Sequence, residues 1–197
     1  MSEPIDTLRE AMRAVGDLLE AERAQVAIVV VGGATMNLLG FVSRTTHDVD
    51  VIARAAPPVG ATPVILLPPD PLPDALTRAI ARVSRDFGLP GDWMNTAVAE
   101  QWTQGLPPWI ADDIRWTTYG GLEVGLVGRR TLIALKLFAA VDQSVRSVHA
   151  RDLVAIAPTD AELEEAAGWV RSQDASPLFP ELVSQVVAYV RDSRRDR

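Results

Sequence analysis

The chain has 197 residues, of which 48% are hydrophobic, contains no cysteine and carries a formal net charge of −7. This length and apolar content suffice for a substantial core, the absence of cysteine excludes disulfides and thiolate metal sites, and the acidic balance argues against a protein that coats nucleic acid through its overall charge. No apolar run is long enough for a transmembrane helix and no signal peptide is visible, so we expect no membrane association and a cytoplasmic location.

Hydrophobic spacing in the first half of the chain predicts helices that alternate with strands. The β-branched run 26–31 is typical of a strand that is covered on both faces, and Gly32-Gly33 ends it. The other predicted elements of this half are a helix over 5–23, a short helix over 34–41, a second strand over 44–53, an edge strand within 64–67 and a helix over 74–87.

Three tryptophans, Trp93, Trp102 and Trp109, lie among polar residues in the next segment. Such residues belong to a core or a lid more often than to a platform on which bases stack. We therefore interpret them as core or lid residues.

The second half of the chain begins with a hairpin and continues as helices. The predicted elements are strands over 114–118 and 122–127, then helices over 130–141, 148–156, from Thr159 or Asp160 to 171, and over 177–191. We expect a core over 1–127 and a C-terminal helical portion over 128–197 that packs on it. The predicted fold class is α/β (α+β), with a mixed sheet flanked by helices.

Two polar features follow the first strand. Asp48 and Asp50 are two residues apart, so in a strand their carboxylates share one face and could bind a divalent metal. Gly32 and Gly33 leave backbone N–H groups unshielded at a helix start, which suits a phosphate. The alternatives are an acidic strand edge and a tight turn, but the short distance between the two features along the chain favours one site.

Lys136 is the single lysine among 19 basic residues and lies in an otherwise apolar helix. Its stem could simply follow the edge of the core. The preference of this chain for arginine elsewhere suggests instead that a compact ammonium was needed, as in phosphate binding. Asp152, in the following helix, could pair with Arg151 or Arg146 on a solvated face.

Together these residues resemble the DNA polymerase β-type nucleotidyltransferase superfamily, and within it the AbiE-type branch. The resemblance covers 26–156 and rests on the following residues: Gly32-Gly33, Arg44, Thr46, Asp48 and Asp50, Leu135-Lys136-Leu137, and Arg151-Asp152-Leu153. It implies a polymerase β-like fold. It also implies a catalytic set of Asp48, Asp50, Lys136 and Asp152, with Mg²⁺ on the first two. The residues implied to bind the nucleotide are Gly32, Gly33, Arg44, Thr46 and Lys136.

Two departures accompany this resemblance. Ala155 occupies a position where the family often has an acid. The superfamily usually has a third metal carboxylate on a later strand, and here only Glu123 is a candidate for it. A catalytically degenerate module that binds a nucleotide or a partner is therefore the alternative to an enzyme.

The function implied is transfer of a nucleotidyl group from a nucleoside triphosphate to an acceptor hydroxyl. The AbiE-type branch includes toxins of toxin–antitoxin systems, several of which act on transfer RNA, so tRNA or another RNA is the expected acceptor and a cognate antitoxin a possible partner. We expect four arginines to offset the acidic surface near the RNA: Arg129, Arg130, Arg146 and Arg151.

Overall fold

The computed structural model describes residues 4–43, 46, 48–56 and 64–195. The chain divides into two compact units, Met1–Leu106 with Ile110–Val127, and Pro107–Trp109 with Gly128–Arg197. The predicted fold class, a mixed sheet flanked by helices, is confirmed.

The first unit contains the sheet. Its described elements, in chain order, are α1 (Pro4–Ala21), β1 (Val26–Val31), α2 (Gly32–Leu38), β2 (Val49–Ala55), β3 (Leu66–Leu67), α3 (Asp74–Phe87), β4 (Met94–Asn95), α4 (Glu100–Gln104), a 3₁₀ turn (Ile110–Asp112), β5 (Ile114–Tyr119) and β6 (Leu122–Val127).

Within the described residues the sheet has six strands in the order β3-β2-β1-β6-β5, with β4 also paired to β2. The β1–β2, β2–β3 and β5–β6 pairs are antiparallel, whereas β1–β6 and β2–β4 are parallel. β1 is therefore central, and all six of its residues are buried, as its continuous apolar sequence predicts.

Helices α1 and α3 cover one face of this sheet. Their apolar side chains recur every three or four residues and form a common core with alternate residues of β1, β2 and β6. The buried α1 residues are Leu8, Ala11, Met12, Val15 and Leu19. Trp93 is fully buried in the same core, which confirms the core interpretation for this tryptophan.

Gly16 allows α1 to lie directly on the β5–β6 turn. The Gly121 N–H donates a hydrogen bond of 2.9 Å to the Gly16 carbonyl. A Cβ atom on Gly16 would lie 1.7 Å from the Tyr119 carbonyl oxygen, so no larger residue fits without moving the helix.

The second unit is helical. Its helices are α5 (Arg129–Gln143), α6 (Val148–Ile156), α7 (Asp160–Arg171) and α8 (Phe179–Arg195). The buried residues of α8 follow helical spacing: Val183, Val186, Val187 and Val190. Phe138 of α5 packs edge-on against Trp169 of α7 at a centroid distance of 5.9 Å, which joins two of the helices through an aromatic pair.

Several element boundaries differ from the prediction. The described second strand is Val49–Ala55, and the start predicted at residue 44 lies outside the described residues; α2 begins at Gly32 rather than after the diglycine. The two-residue strand β4 and the short helix α4 were not predicted, because segments this short carry no measurable hydrophobic period. None of the described helices combines the length and the apolar character needed to cross a bilayer.

Candidate active site

A β-bulge in β2 determines which way Asp50 faces. Val29 lies opposite Ala53, but Val30 lies opposite Val51, so Ile52 is an extra residue in β2 and Asp50 stands opposite Val31. Without the bulge, Asp50 would share the sheet face of Val30, which is the face that packs against α1 and α3. The bulge thus keeps the carboxylate out of an apolar core, where its charge would be costly.

Gly32 lies directly against this carboxylate. It follows Val31 and adopts a left-handed backbone conformation with φ +75°. A Cβ atom on Gly32 would lie 2.2 Å from Oδ2 of Asp50, so this oxygen can lie against the backbone of residue 32 only because that residue has no side chain. The structure therefore brings together the diglycine and one of the two acids that the sequence placed in one site. Gly33, the next residue, is buried in the first turn of α2.

Asp48 precedes β2 and is exposed, whereas Asp50 is half-buried. The Thr46 hydroxyl donates a hydrogen bond of 2.9 Å to Oδ1 of Asp48, and Thr46 itself is only 6% exposed. The structure thus shows the Thr46 hydroxyl hydrogen-bonded to Asp48, and its binding to the nucleotide stays a prediction. Arg44, the other residue predicted from this segment, lies outside the described residues.

The donor set suits a hard divalent cation. Asp48 and Asp50 offer carboxylate oxygens two residues apart, and Gly32 lets the Asp50 carboxylate lie against the backbone at the end of β1. Across the described ranges no group of three or more acids and histidines could hold a metal ion. Two carboxylates are nevertheless a common protein contribution to Mg²⁺ binding, since substrate phosphates and water complete the octahedron.

Glu123 is not the third ligand. On β6 it lies opposite Ala27, four residues before Val31 on β1, and Val31 is the residue opposite Asp50. Four residues correspond to about 13 Å along a strand, so Glu123 and Asp50 lie towards opposite ends of the sheet.

The neighbour that the sequence did not reveal is Asn95. β4 pairs with β2 so that Asn95 stands beside Asp50, and this register places a neutral amide next to the acid. Its side chain is committed locally, because Nδ2 donates to the Asp92 carbonyl at 3.0 Å and Oδ1 accepts from the Ala97 N–H at 2.8 Å. The only sequence signal for this position was its place shortly after the helix that follows β2.

Lys136 and Asp152 form a buried ion pair in the second unit. Nζ of Lys136 lies 2.7 Å from Oδ2 of Asp152, and the two side chains are 8% and 3% exposed. Asp152 therefore does not lie on a solvated face, and Lys136 does not extend its ammonium into solvent. The structure thus brings together Lys136 and Asp152, which are two of the four residues in the predicted catalytic set.

Two of the four arginines that we expected near RNA have other partners. Arg129 binds Glu162, with Nε 2.6 Å from Oε1, and also donates to the carbonyls that end α6. Arg130 forms a bidentate ion pair with Glu165, and its Cζ atom lies 4.2 Å from the centroid of the Trp109 ring. These contacts hold α5 to α7, so a basic surface for RNA would depend on Arg146 and Arg151, which are both exposed.

Comparison with known families bears on the first part of the chain. Residues 6–60 match a family model described as "Nucleotidyltransferase of unknown function (DUF6036)". The matched residues contain the diglycine, Thr46 and both acids, but not Lys136 or Asp152. Among curated proteins and among solved structures, no match to this chain was found. The part of the chain that carries the two acids is thus similar to a nucleotidyltransferase family.

Proposed function

We propose that this protein is a metal-dependent nucleotidyltransferase that acts on a nucleoside triphosphate. The observation that carries the proposal is the contact between Gly32 and Asp50, two residues from Asp48, at the edge where β1 ends and β2 begins. The similarity of residues 6–60 to nucleotidyltransferases supports it independently of this geometry.

In the proposed reaction the oxygen of an acceptor hydroxyl bonds to the α-phosphorus. The bond from this phosphorus to the bridging oxygen breaks, pyrophosphate leaves, and the hydroxyl proton is released. Asp48 and Asp50 would hold Mg²⁺, which when bound neutralises triphosphate charge and lowers the cost of activating the hydroxyl. The backbone at Gly32 and Gly33 would lie along the phosphates, where no side chain at position 32 obstructs their approach.

The roles of Lys136 and Asp152 are part of the same proposal. Lys136 and Asp152 would keep the catalytic roles that the resemblance implies, with the buried ion pair holding the Lys136 ammonium beside Asp152. Arg44 retains the role that the resemblance implies.

For the acceptor we propose an RNA 3′ hydroxyl, with tRNA as the first substrate to test. We further propose that the protein acts in the cytoplasm as a toxin of the AbiE type and that an antitoxin neutralises it. Support comes from the resemblance and from the exposed Arg146 and Arg151. Incubation with each α-labelled nucleoside triphosphate and total RNA tests this. Periodate oxidation of the RNA removes the terminal diol and should abolish labelling; labelled protein in place of RNA would identify a different acceptor.

The second candidate is a module that binds a nucleotide or a partner without turnover. The observation that favours it is the neutral Asn95 beside Asp50, where a carboxylate would have added a ligand. Metal-dependent nucleotide binding with no transfer to any acceptor would support this candidate over the enzyme.

The decisive experiment measures Mn²⁺ binding and metal-dependent nucleoside triphosphate binding in Asp48→Asn and Asp50→Asn. We expect both variants to fold, because the two acids are exposed or half-buried, and to lose most metal affinity. Asp17→Asn, at an exposed position of α1, is the matched control and should bind as the wild type does. Wild-type binding and transfer in either site variant would refute the metal assignment.

A further inference from the structure

We propose that Thr46 is a positioning residue for Asp48, holding its carboxylate in the orientation that binds metal. This inference rests on the proposed function, since it concerns the same site. Its starting observation is the hydrogen bond of 2.9 Å from the Thr46 hydroxyl to Oδ1 of Asp48.

The burial of Thr46 makes this hydrogen bond informative. Thr46 is 6% exposed, whereas its acceptor Asp48 is exposed. A buried hydroxyl needs a partner within the protein, and here that partner is a carboxylate that could otherwise have been solvated by water alone. The hydroxyl proton is therefore committed to an exposed acid, and Thr46 can control the orientation of that acid.

The bond acts on one oxygen of the carboxylate. With Oδ1 held by Thr46, rotation of the carboxylate about its Cβ–Cγ bond is restricted, and Oδ2 is presented in one direction. Outer partners of this kind commonly orient the ligands of metal sites.

The structure also explains why Thr46 can be tested without loss of the fold. Thr46→Val replaces the hydroxyl by a methyl group of the same size, and the acceptor that loses its donor is exposed and can bind water instead. Thr46→Ser keeps the hydroxyl and is the matched control. Thr46→Ala removes the hydroxyl without introducing a second methyl group, and serves as the second variant.

The experiment is a Mn²⁺ titration of the full chain followed by electron paramagnetic resonance, without nucleotide and then with a nucleoside triphosphate. We expect Thr46→Val and Thr46→Ala to weaken Mn²⁺ binding about 10-fold, while Thr46→Ser stays within about twofold of the wild type. In transfer assays the metal concentration at half-saturation should rise, and kcat at saturating metal should be retained. A residue that only supports the loop would not raise the metal concentration at half-saturation while leaving kcat unchanged.

Each outcome separates this inference from the proposed function. If the wild type binds Mn²⁺ and both variants that lack the hydroxyl bind it equally well, Thr46 is not a positioning residue, although the metal site stands. If the wild type binds no Mn²⁺, both proposals fail. If circular dichroism shows that either Thr46→Val or Thr46→Ala is unfolded, the Mn²⁺ affinity of the other variant tests the role of Thr46.

Discussion

Gly32 and Gly40 both adopt a left-handed backbone, with φ +75° and +77°, but their surroundings differ. A Cβ atom on Gly32 would overlap Oδ2 of Asp50, whereas a Cβ atom on Gly40 would meet nothing within 4 Å. A comparison of substitutions at the two positions therefore distinguishes the effect of backbone strain from the effect of a side chain placed against Asp50.

We expect Gly32→Ala and Gly40→Ala each to lower the free energy of unfolding by about 1–2 kcal/mol through the strained backbone. Only Gly32→Ala should also displace the Asp50 carboxylate and weaken Mn²⁺ binding. Urea denaturation and a metal titration of both variants check this. Equal metal binding by the two variants would mean that the position of the Asp50 carboxylate against Gly32 does not contribute to metal binding.

The residue scale also shows what the sequence could and could not predict at the site. The two-residue spacing of Asp48 and Asp50 is a local feature, so a shared site was predictable. The roles of Glu123 and Asn95 depend on strand register, which follows from pairing across the sheet and leaves no trace in the local sequence.

Helix α7 begins with a capping box that its sequence predicts. Thr159 accepts from the Glu162 N–H, and the Glu162 carboxylate accepts from the Thr159 N–H at 2.7 Å. The hydrogen bond from Arg129 is the main reason why the pKa of Glu162 falls from 4.5 to about 2, and the bonds from Thr159 add to this effect. One carboxylate thus joins the start of α7 to α5.

This depressed pKa predicts a pH dependence of stability. Because the pKa is lower in the folded state, the stabilisation is present above pH 4.5 and is lost as the pH falls from 4.5 towards about 2. Glu162→Gln keeps the capping geometry but removes the charge, so we expect it to cost on the order of 2 kcal/mol at neutral pH, after allowance for solvent screening.

Chemical denaturation of the wild type and of Glu162→Gln at a series of pH values measures this effect. The difference between their free energies of unfolding should shrink as the medium becomes acidic. Glu181→Gln, at an exposed position of α8, is the control. A constant difference across the acid range would contradict the assignment to this ion pair.

The ion pair between Lys136 and Asp152 joins α5 to α6, and it predicts strongly non-additive mutations. Lys136→Met removes the ammonium that faces the buried Asp152 carboxylate and should cost about 3–5 kcal/mol. The double variant Lys136→Met with Asp152→Leu should recover most of this loss, since two apolar side chains of similar volume replace the pair.

Transfer activity of this double variant then tests the role of Lys136. We expect a folded protein that has lost nucleotidyl transfer. If the folded double variant transfers nucleotides as the wild type does, the pair is structural and Lys136 is not part of the machinery.

At the scale of the whole molecule, long periodic elements and the local β5–β6 hairpin were predictable, whereas pairing between strands that are distant along the chain was not. Helices α1, α3 and α6 and strand β1 follow their hydrophobic spacing closely, because each buries one stripe or a continuous run. The start of β2 and the bulge at Ile52 depend on how β2 pairs with β1 and β4. The orientation of Asp50 was for this reason not accessible from the sequence.

The distribution of charge also became clear only in three dimensions. The arginines that the sequence placed near RNA divide into two groups, with Arg129 and Arg130 bound to acids of α7 and Arg146 and Arg151 exposed. Sequence distance from Lys136 could not distinguish them, because the acids that bind the first two lie more than thirty residues away along the chain.

The burial of Lys136 has a consequence for chemical labelling. Since it is the only lysine of the chain and its side chain is 8% exposed, the folded protein offers no exposed lysine amine to acylating reagents or amine cross-linkers. Acylation at this position requires the second unit to open, so the rate of modification reports how often α5 and α6 separate. The same scarcity means that positive charge on the described surface comes from guanidinium groups, which keep their protons throughout the physiological pH range.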